Sequence, residues 1–181
     1  MSVLDAVDTW AERRSGRRAE RWIRRSETSA GQLVHWRTTP RTRLLVRIHL
    51  GSLVLLLLGA GIQVFWYPFL IPWFVVVLVS CVSWTMLRTV INLRDVAPAS
   101  ALDEYESAVI RTWQSTAYGW LMLLALAAGT YMVLLSAFGP DDLTRWIYSG
   151  GIFTYVGMMA ANALPTVAYA TTFGPVPPSN N

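Results

Sequence analysis

The sequence predicts an all-α integral membrane protein, a bundle of four transmembrane helices. Three observations support this prediction: long segments without formal charge, the turns that divide them, and a strong bias in where arginine occurs. No Asp, Glu, Lys or Arg occurs at residues 48–87, 112–140 or 146–181. A soluble chain of 181 residues carries charge on its helices more often, because each helix needs a solvated face. Uncharged apolar stretches longer than about 18 residues are typical of membrane spans.

Residues 1–43 form a polar segment that we name the arm. Ser2 and Asp5 have the spacing of a capping box, which predicts an amphipathic helix beginning at Val3. Arginines and tryptophans follow, and these side chains are the predicted partner-binding or lipid-binding residues: Trp10, Arg13, Arg14, Arg17, Arg18, Arg21, Trp22, Arg24 and Arg25. Three interpretations of the arm stay open: a solvated tail, a helix on an anionic lipid surface, or a clasp on an acidic partner.

The first long uncharged segment, residues 48–87, has room for two spans. As one helix it would be about 60 Å long, twice the thickness of a bilayer core of about 30 Å. Pro68 follows two aromatic residues and predicts a turn, so the first two spans are predicted at 44–66 and 68–90. His49 falls near the start of the first span. A lone histidine there indicates a hydrogen-bonded interfacial side chain rather than a metal or haem ligand.

The rest of the chain is predicted to contain two further spans. Ser100 and Asp103 have capping-box spacing, and neither Pro nor Gly occurs from there to Gly119, so a helix is expected to run unbroken into the third span. Gly139 and Pro140 indicate the turn before the fourth span. The predicted segments are a charged connection at 91–112, spans at 113–138 and 146–170, and an uncharged tail at 171–181.

The distribution of arginine predicts the orientation of the spans. All 15 basic residues are arginine, and 14 of them lie on the side of the arm and of the connection between spans two and three. Only Arg145 falls on the opposite side. By the positive-inside rule, both termini are expected in the cytoplasm, with the spans in the plasma membrane. Tryptophans are expected as interfacial belts, an outer one of Trp66, Trp73 and Trp146 and an inner one of Trp84, Trp113 and Trp120.

No motif in the sequence indicates catalysis. It has no glycine-rich phosphate loop and no grouped Ser, His and carboxylate, and Cys81 is its only cysteine. We therefore predict no catalytic residue, no metal site, no cofactor, no nucleic-acid partner and no small-molecule substrate. The spans lack acids and lysine at mid-depth, which argues against ion-coupled transport. A quinone site stays open, because aromatic side chains and one hydrogen-bond donor would suffice for it.

Two pairs of small residues predict close helix packing. Ala125 with Gly129, and Gly157 with Ala161, have the small-xxx-small spacing that lets helix backbones approach within a membrane. Packing inside the four-helix bundle is the default expectation. Packing against another subunit is the alternative that the sequence leaves open.

Two short motifs resemble a known group of proteins. Leu102-Asp103-Glu104-Tyr105-Glu106 resembles an acidic Leu-Asp-Glu-Arg-Glu motif before the third span of uncharacterised four-helix membrane proteins of actinobacteria, from which Tyr105 departs. Ala163-Leu164-Pro165-Thr166 is similar to the Leu-Pro-Thr that closes their fourth span. The resemblance covers residues 44–170, implies a bundle and a bacterial lineage, and implies no activity. The arginine-rich arm lies outside it.

The leading functional hypothesis is a non-catalytic accessory subunit of a larger plasma-membrane complex. A bacterial respiratory supercomplex is the first guess, because such assemblies carry small helical subunits without cofactors. Its expected partners are other membrane-protein subunits and anionic lipids. Two alternatives stay open: a small self-assembling transporter, channel or pore, and a membrane-anchored regulator whose arm binds anionic lipid or a cytosolic protein.

Overall fold

The computed structural model describes residues 16–17, 19–29, 31–66, 70–139 and 141–175. Within these ranges the regular secondary structure is entirely helical. Residues 19–29 form a helix of the arm, which we call the arm helix. Four long helices follow it, and we name them α1 (Thr39–Phe65), α2 (Leu70–Val90), α3 (Glu104–Phe138) and α4 (Leu143–Thr172).

All four long helices are long and apolar enough to cross a membrane. This confirms the prediction of an all-helical protein with four candidate spans. The expected helix start at Val3 lies outside the described residues, as do Trp10, Arg13, Arg14 and Arg18 of the arm.

Local sequence explains where the helices begin. α3 starts after a capping box in which the Glu106 amide donates to Asp103 Oδ1 at 2.6 Å, while the Asp103 amide donates to Glu106 Oε2 at 3.3 Å. The expectation that Ser100 opens this box is therefore wrong. Ser100 lies in a short 3-10 turn, Ala99–Ala101, because the chain stays extended at Leu102 and first turns helical after Asp103. From Asp103 the helix runs without a break through the whole third span, as the sequence predicts.

The helices pack side by side in the order α2, α1, α4, α3. The start of α1, the end of α2, the start of α3 and the end of α4 lie together, and we call this end of the bundle the arm side. A buried apolar cluster closes the arm side: Leu45, Val46, Leu87, Val90, Ile91, Ile110, Tyr169 and Ala170. A second cluster joins α1, α2 and α4 towards the opposite side: Leu56, Ala60, Trp73, Val77, Ile152 and Val156. α3 packs extensively only against α4, so it forms one edge of the bundle.

One expected belt residue lies inside the bundle. Trp73 is buried, and its indole N–H donates to the Leu56 carbonyl of α1 at 3.2 Å. The indole thus joins α1 to α2, in place of the interfacial role that the sequence suggested. Trp66 and Trp146 are exposed.

Candidate functional site: the arm-side network and the exposed face of α3

The connection between α2 and α3 folds back onto the arm side of the bundle. Asn92 and Leu93 adopt left-handed backbone angles, with φ of 53° and 55°, which turn the chain sharply after α2. Such angles strain a leucine, so surrounding contacts must hold the turn in place. Trp22 of the arm helix supplies one of them, because its indole N–H donates to the Leu93 carbonyl at 3.0 Å. The turn places Asp95 against the ends of the helices.

Asp95 is the centre of the network on the arm side. The residue is only 4% exposed, and its Oδ2 atom accepts a hydrogen bond from Thr166 Oγ1 of α4 at 2.8 Å. Arg88 Nε of α2 forms an ion pair with the same oxygen at 2.9 Å. Gln114 Nε2 of α3 donates to the Asp95 backbone carbonyl at 3.0 Å. One loop residue therefore connects three helices.

The charge of Asp95 is only partly compensated. Burial raises the pKa of its carboxyl group above the usual value of 3.8, and the Arg88 charge and the Thr166 hydrogen bond oppose that rise. Its other oxygen, Oδ1, is buried without a hydrogen-bond partner among the described residues, which fits the raised pKa. The network therefore contains a titratable group outside the membrane-spanning helices.

Glu106 forms a second junction one turn into α3. Its Oε1 atom accepts from the Tyr169 hydroxyl of α4 at 2.6 Å, and its Oε2 atom lies 3.3 Å from Arg94 Nη1. Arg94 Nη1 also donates to the Ala101 carbonyl at 2.8 Å, which holds the connection between the helices. Glu106 belongs to the Leu102–Glu106 motif and Thr166 to the Ala163–Thr166 motif, so the fold brings both segments to the arm side of the bundle.

The described part of the arm places two predicted binding residues at a basic cavity. Arg21 and Arg25, with Arg88 of α2, line a cavity of about 450 Å³ beside Trp22. Arg24 is exposed on the arm helix. Arg17 lies at the beginning of the described arm. The cavity brings three guanidinium groups towards one space, and such an arrangement suits a phosphate or carboxylate group.

The two small-residue pairs occupy different environments. A Cβ atom at Gly157 would lie 2.8 Å from a methyl carbon of Leu124, so this glycine is where α3 approaches α4 closely. Ala161 is buried on the same helix. Ala125 and Gly129 are exposed on α3, and the space where a Gly129 side chain would stand is open. The first pair serves packing within the chain, and the second pair is exposed within the part of the chain that the structure describes.

α3 is the least buried of the four candidate spans. Only 6% of its most apolar stretch is buried, against 28% to 39% in the other three helices. Leu126 is 70% exposed, and the stripe around it repeats at helical spacing along Gly119, Met122, Leu126, Gly129 and Val133. This outward stripe, which we call the α3 face, lies opposite the side that packs on α4.

Several residues of the network carry little signal in the sequence. In the sequence, Asp95 is one of several charged residues in a polar connection, and Tyr169 is one of several aromatic residues in an apolar helix, so neither stands out. An acid placed seven residues after Arg88 was the available hint, but spacing alone does not reveal burial. Among the described residues, no three His, Cys, Asp or Glu side chains are grouped so that they could hold a metal ion.

Fold and site together define an all-helical protein with four candidate membrane spans and a buried polar network at one end. In comparisons with known proteins, no family model matches the chain, and neither a curated protein nor a solved structure is significantly similar to it.

Proposed function

We propose that this protein is a non-catalytic accessory subunit of a larger membrane complex and that the α3 face is its docking surface. The observation that carries the proposal is the single-sided packing of α3. A helix that crosses a membrane at the edge of a bundle, with one flank packed on α4, is available to a helix of another subunit.

The residues of the α3 face suit such a contact. In lipid there is no hydrophobic driving force between helices, so association depends on close backbone approach and van der Waals packing. Gly119 and Gly129 lie on the α3 face with open space above them, one on each side of Met122 and Leu126, so a partner helix can approach the backbone at both positions. The capping box and the Glu106–Tyr169 hydrogen bond hold the start of α3, so the face is presented in a fixed position.

The orientation follows from the arginine distribution. We place the arm side and both termini in the cytoplasm and the helices in the plasma membrane, because a positive charge excess marks the cytoplasmic side. The arm then reaches acidic surfaces of the same complex or anionic lipids beside it. A bacterial respiratory supercomplex is the first candidate complex, since small helical subunits without cofactors are common in such assemblies.

Site-specific photocross-linking in the native membrane tests the docking surface. A photoreactive side chain at Leu126 is expected to capture a specific membrane protein, whereas the same group at Val82, which is also exposed on α2, should not. Capture from both positions, or from neither, would contradict the proposal.

A substitution tests whether the captured contact holds the complex together. Gly129→Leu is expected to release the chain from its complex in mild detergent without affecting its own thermal unfolding, because the added side chain meets open space. Gly51→Leu is the matched control, since Gly51 is exposed on α1 with equally open surroundings. Recovery of the wild-type chain alone, together with ion conductance in pure liposomes, would instead favour the pore hypothesis.

The basic cavity supports a second candidate, a regulator that binds anionic lipid through the arm. Arg21 and Arg25 are exposed at this cavity and lie beside the arm side of the membrane helices. Their joint replacement by Gln is expected to weaken binding to vesicles that contain anionic lipid, while assembly with the partner complex is retained. Loss of assembly with unchanged vesicle binding would assign the arm to a protein partner.

A further inference from the structure

A cavity of about 280 Å³ opens within the membrane-spanning part of the bundle. It lies where α1, α2 and α4 meet, and it is lined by His49, Cys81, Trp84, Tyr155, Met158, Met159 and Asn162. Its rim residues Tyr155 and Met158 are 44% and 40% exposed, so the cavity opens sideways onto the surface that faces lipid. A ligand would therefore reach it from the bilayer.

His49, which lines this cavity, carries an unpaired acceptor. The side chain is 1% exposed, and its Nδ1 atom lies 3.2 Å from the Ser80 carbonyl oxygen and 3.3 Å from Ser83 Oγ on α2. A carbonyl oxygen can only accept, so we assign the ring proton to Nδ1. Nε2 is then a lone-pair acceptor, and it has no hydrogen-bond partner in the described part of the chain.

Trp84 contributes an unpaired donor. The indole Nε1–H is buried, can only donate, and has no acceptor within the described ranges. Two other buried or half-buried tryptophans do find acceptors, since Trp73 donates to Leu56 and Trp22 donates to Leu93. Unpaired buried polar groups are uncommon in folded proteins and mark positions that need an explanation. Two such atoms, one donor and one acceptor, belong to residues that line the same cavity.

We propose that this cavity binds the ring of an uncharged, lipid-soluble hydroquinone. A phenolic hydroxyl both donates and accepts, so one such group would donate to His49 Nε2 and accept from Trp84 Nε1–H. The surrounding side chains suit a flat ring, because methionine sulfur and aromatic faces make favourable contacts with aromatic groups. Ligand pockets generally measure about 300–1,000 Å³, and this cavity, at about 280 Å³, lies just below that range. It therefore has room for a headgroup ring, while the ligand's apolar tail stays in lipid.

The charges nearby favour a neutral ligand. The guanidinium group of Arg88 lies 4.9 Å from the Trp84 ring centroid and is already paired with Asp95. None of the described residues that line the cavity is Asp, Glu, Lys or Arg. An anionic headgroup would therefore bury its charge without a counter-ion, which is unfavourable in lipid.

Nitrogen NMR of the purified full-length protein in lipid nanodiscs tests the binding. His35 and His49 are the only histidines, so ¹⁵N-histidine labelling reports both rings separately. A decyl hydroquinone, kept reduced, is expected to shift the Nε2 signal of His49 and leave His35 unchanged. Its di-O-methyl ether, which cannot donate, should bind about tenfold more weakly, as loss of a hydrogen bond implies. Binding by the ether or by dodecanol as tight as by the hydroquinone would overturn the proposal, as would an unshifted His49 signal.

Trp84→Phe tests the donor, since it keeps an aromatic ring and removes the N–H together with the rest of the five-membered ring. That N–H has no partner among the described residues, so unliganded Trp84→Phe loses no hydrogen bond, and only the smaller ring is expected to lower its unfolding temperature. Its affinity for the decyl hydroquinone should fall about tenfold. Trp120→Phe is the control, because Trp120 is exposed on α3 away from the cavity. Unchanged affinity in Trp84→Phe would refute the proposed contact, and the His49 signal of the wild-type protein decides the matter if the variant does not fold.

Discussion

Thr166 in the fourth span donates a 2.8 Å hydrogen bond to Asp95, which lies 71 residues earlier in the connection between α2 and α3. Both side chains are buried. The hydrogen bond connects the polar loop to the arm-side end of α4. The ion pair between Asp95 and Arg88 connects the same loop to α2. The arm side of the bundle is therefore held by specific polar contacts in addition to its apolar cluster.

Replacing Thr166 by Val should destabilise the fold. Valine keeps the shape and removes the hydroxyl donor, so a buried carboxylate oxygen loses a hydrogen bond at a cost of about 1–3 kcal/mol. Thermal unfolding of the purified protein in detergent measures the effect. Thr171→Val is the control, because Thr171 is exposed on the same helix and its hydroxyl donates to the helix carbonyl groups of Val167 and Ala168. Equal unfolding temperatures for the two variants would contradict the role assigned to Thr166.

The stability that Asp95 contributes should depend on pH. Burial raises the pKa of its carboxyl group in the folded protein above the usual value of 3.8, although Arg88 opposes the rise. The folded state therefore holds this proton more tightly than the unfolded state does. Its contribution is fully present below the unfolded pKa and is lost as the pH rises through the folded pKa.

Comparison with Asp95→Asn isolates this effect, because asparagine does not titrate. The unfolding temperature of the wild-type protein, relative to that of Asp95→Asn, is expected to fall as the pH rises from about 4 to 7. A difference that stays constant over this interval, or that grows, would show that the Arg88 charge outweighs burial.

Tyr169→Phe should loosen the contact between α3 and α4 on the arm side. The substitution removes the hydroxyl that donates to Glu106 at 2.6 Å, and a hydrogen bond to a carboxylate contributes about 1.5 kcal/mol. Denaturant or thermal unfolding in detergent measures the loss. Tyr118→Phe, at an exposed tyrosine of α3, should unfold like the wild-type protein. If both variants behave alike, the Glu106 contact does not stabilise the fold.

Gly157→Leu should separate α3 from α4. Even a Cβ atom there would meet Leu124 at 2.8 Å, so a leucine side chain overpacks the contact at a cost of about 1–3 kcal/mol. A lowered unfolding temperature is the expected result. Gly61→Leu on α1 is the control, since its surroundings are open. Tolerance of leucine at both positions would mean that the two helices are not in close contact at Gly157.

The proposed orientation predicts which loops can be labelled from outside the cell. Cys81 is the only cysteine, so Cys81→Ser provides a background for single-cysteine variants. In intact cells, an impermeant maleimide should label Asp141→Cys and leave Ser100→Cys unlabelled. Both positions are exposed at opposite ends of the bundle, so their labelling in opened cells checks reactivity. The reverse pattern would invert the topology.

The candidate spans were predictable from sequence because their signal is local. Absence of charge over a stretch the length of a bilayer is a property of consecutive residues, and so is the helix that runs unbroken into the third span. Two local signals competed at the start of that helix, Ser100 with Asp103 and Asp103 with Glu106. The same spacing fits both pairs, and only the backbone path through Leu102 decides between them.

The network and the membrane cavity depend instead on contacts between distant residues. From the sequence, Trp84 is interpreted as an interfacial aromatic and Asp95 as a charge in a loop. In the folded chain Trp84 lines a cavity with His49, and Asp95 bonds to Thr166. The sequence by itself determined that four apolar helices are separated by polar connections, because hydrophobicity is a property of each side chain and can be read along the chain. Tertiary structure alone decided that α3 stands at the edge. It also decided that, among the described residues, a donor and an acceptor remain unpaired on two side chains that line one cavity. Packing order and burial arise only when helices far apart in the chain meet.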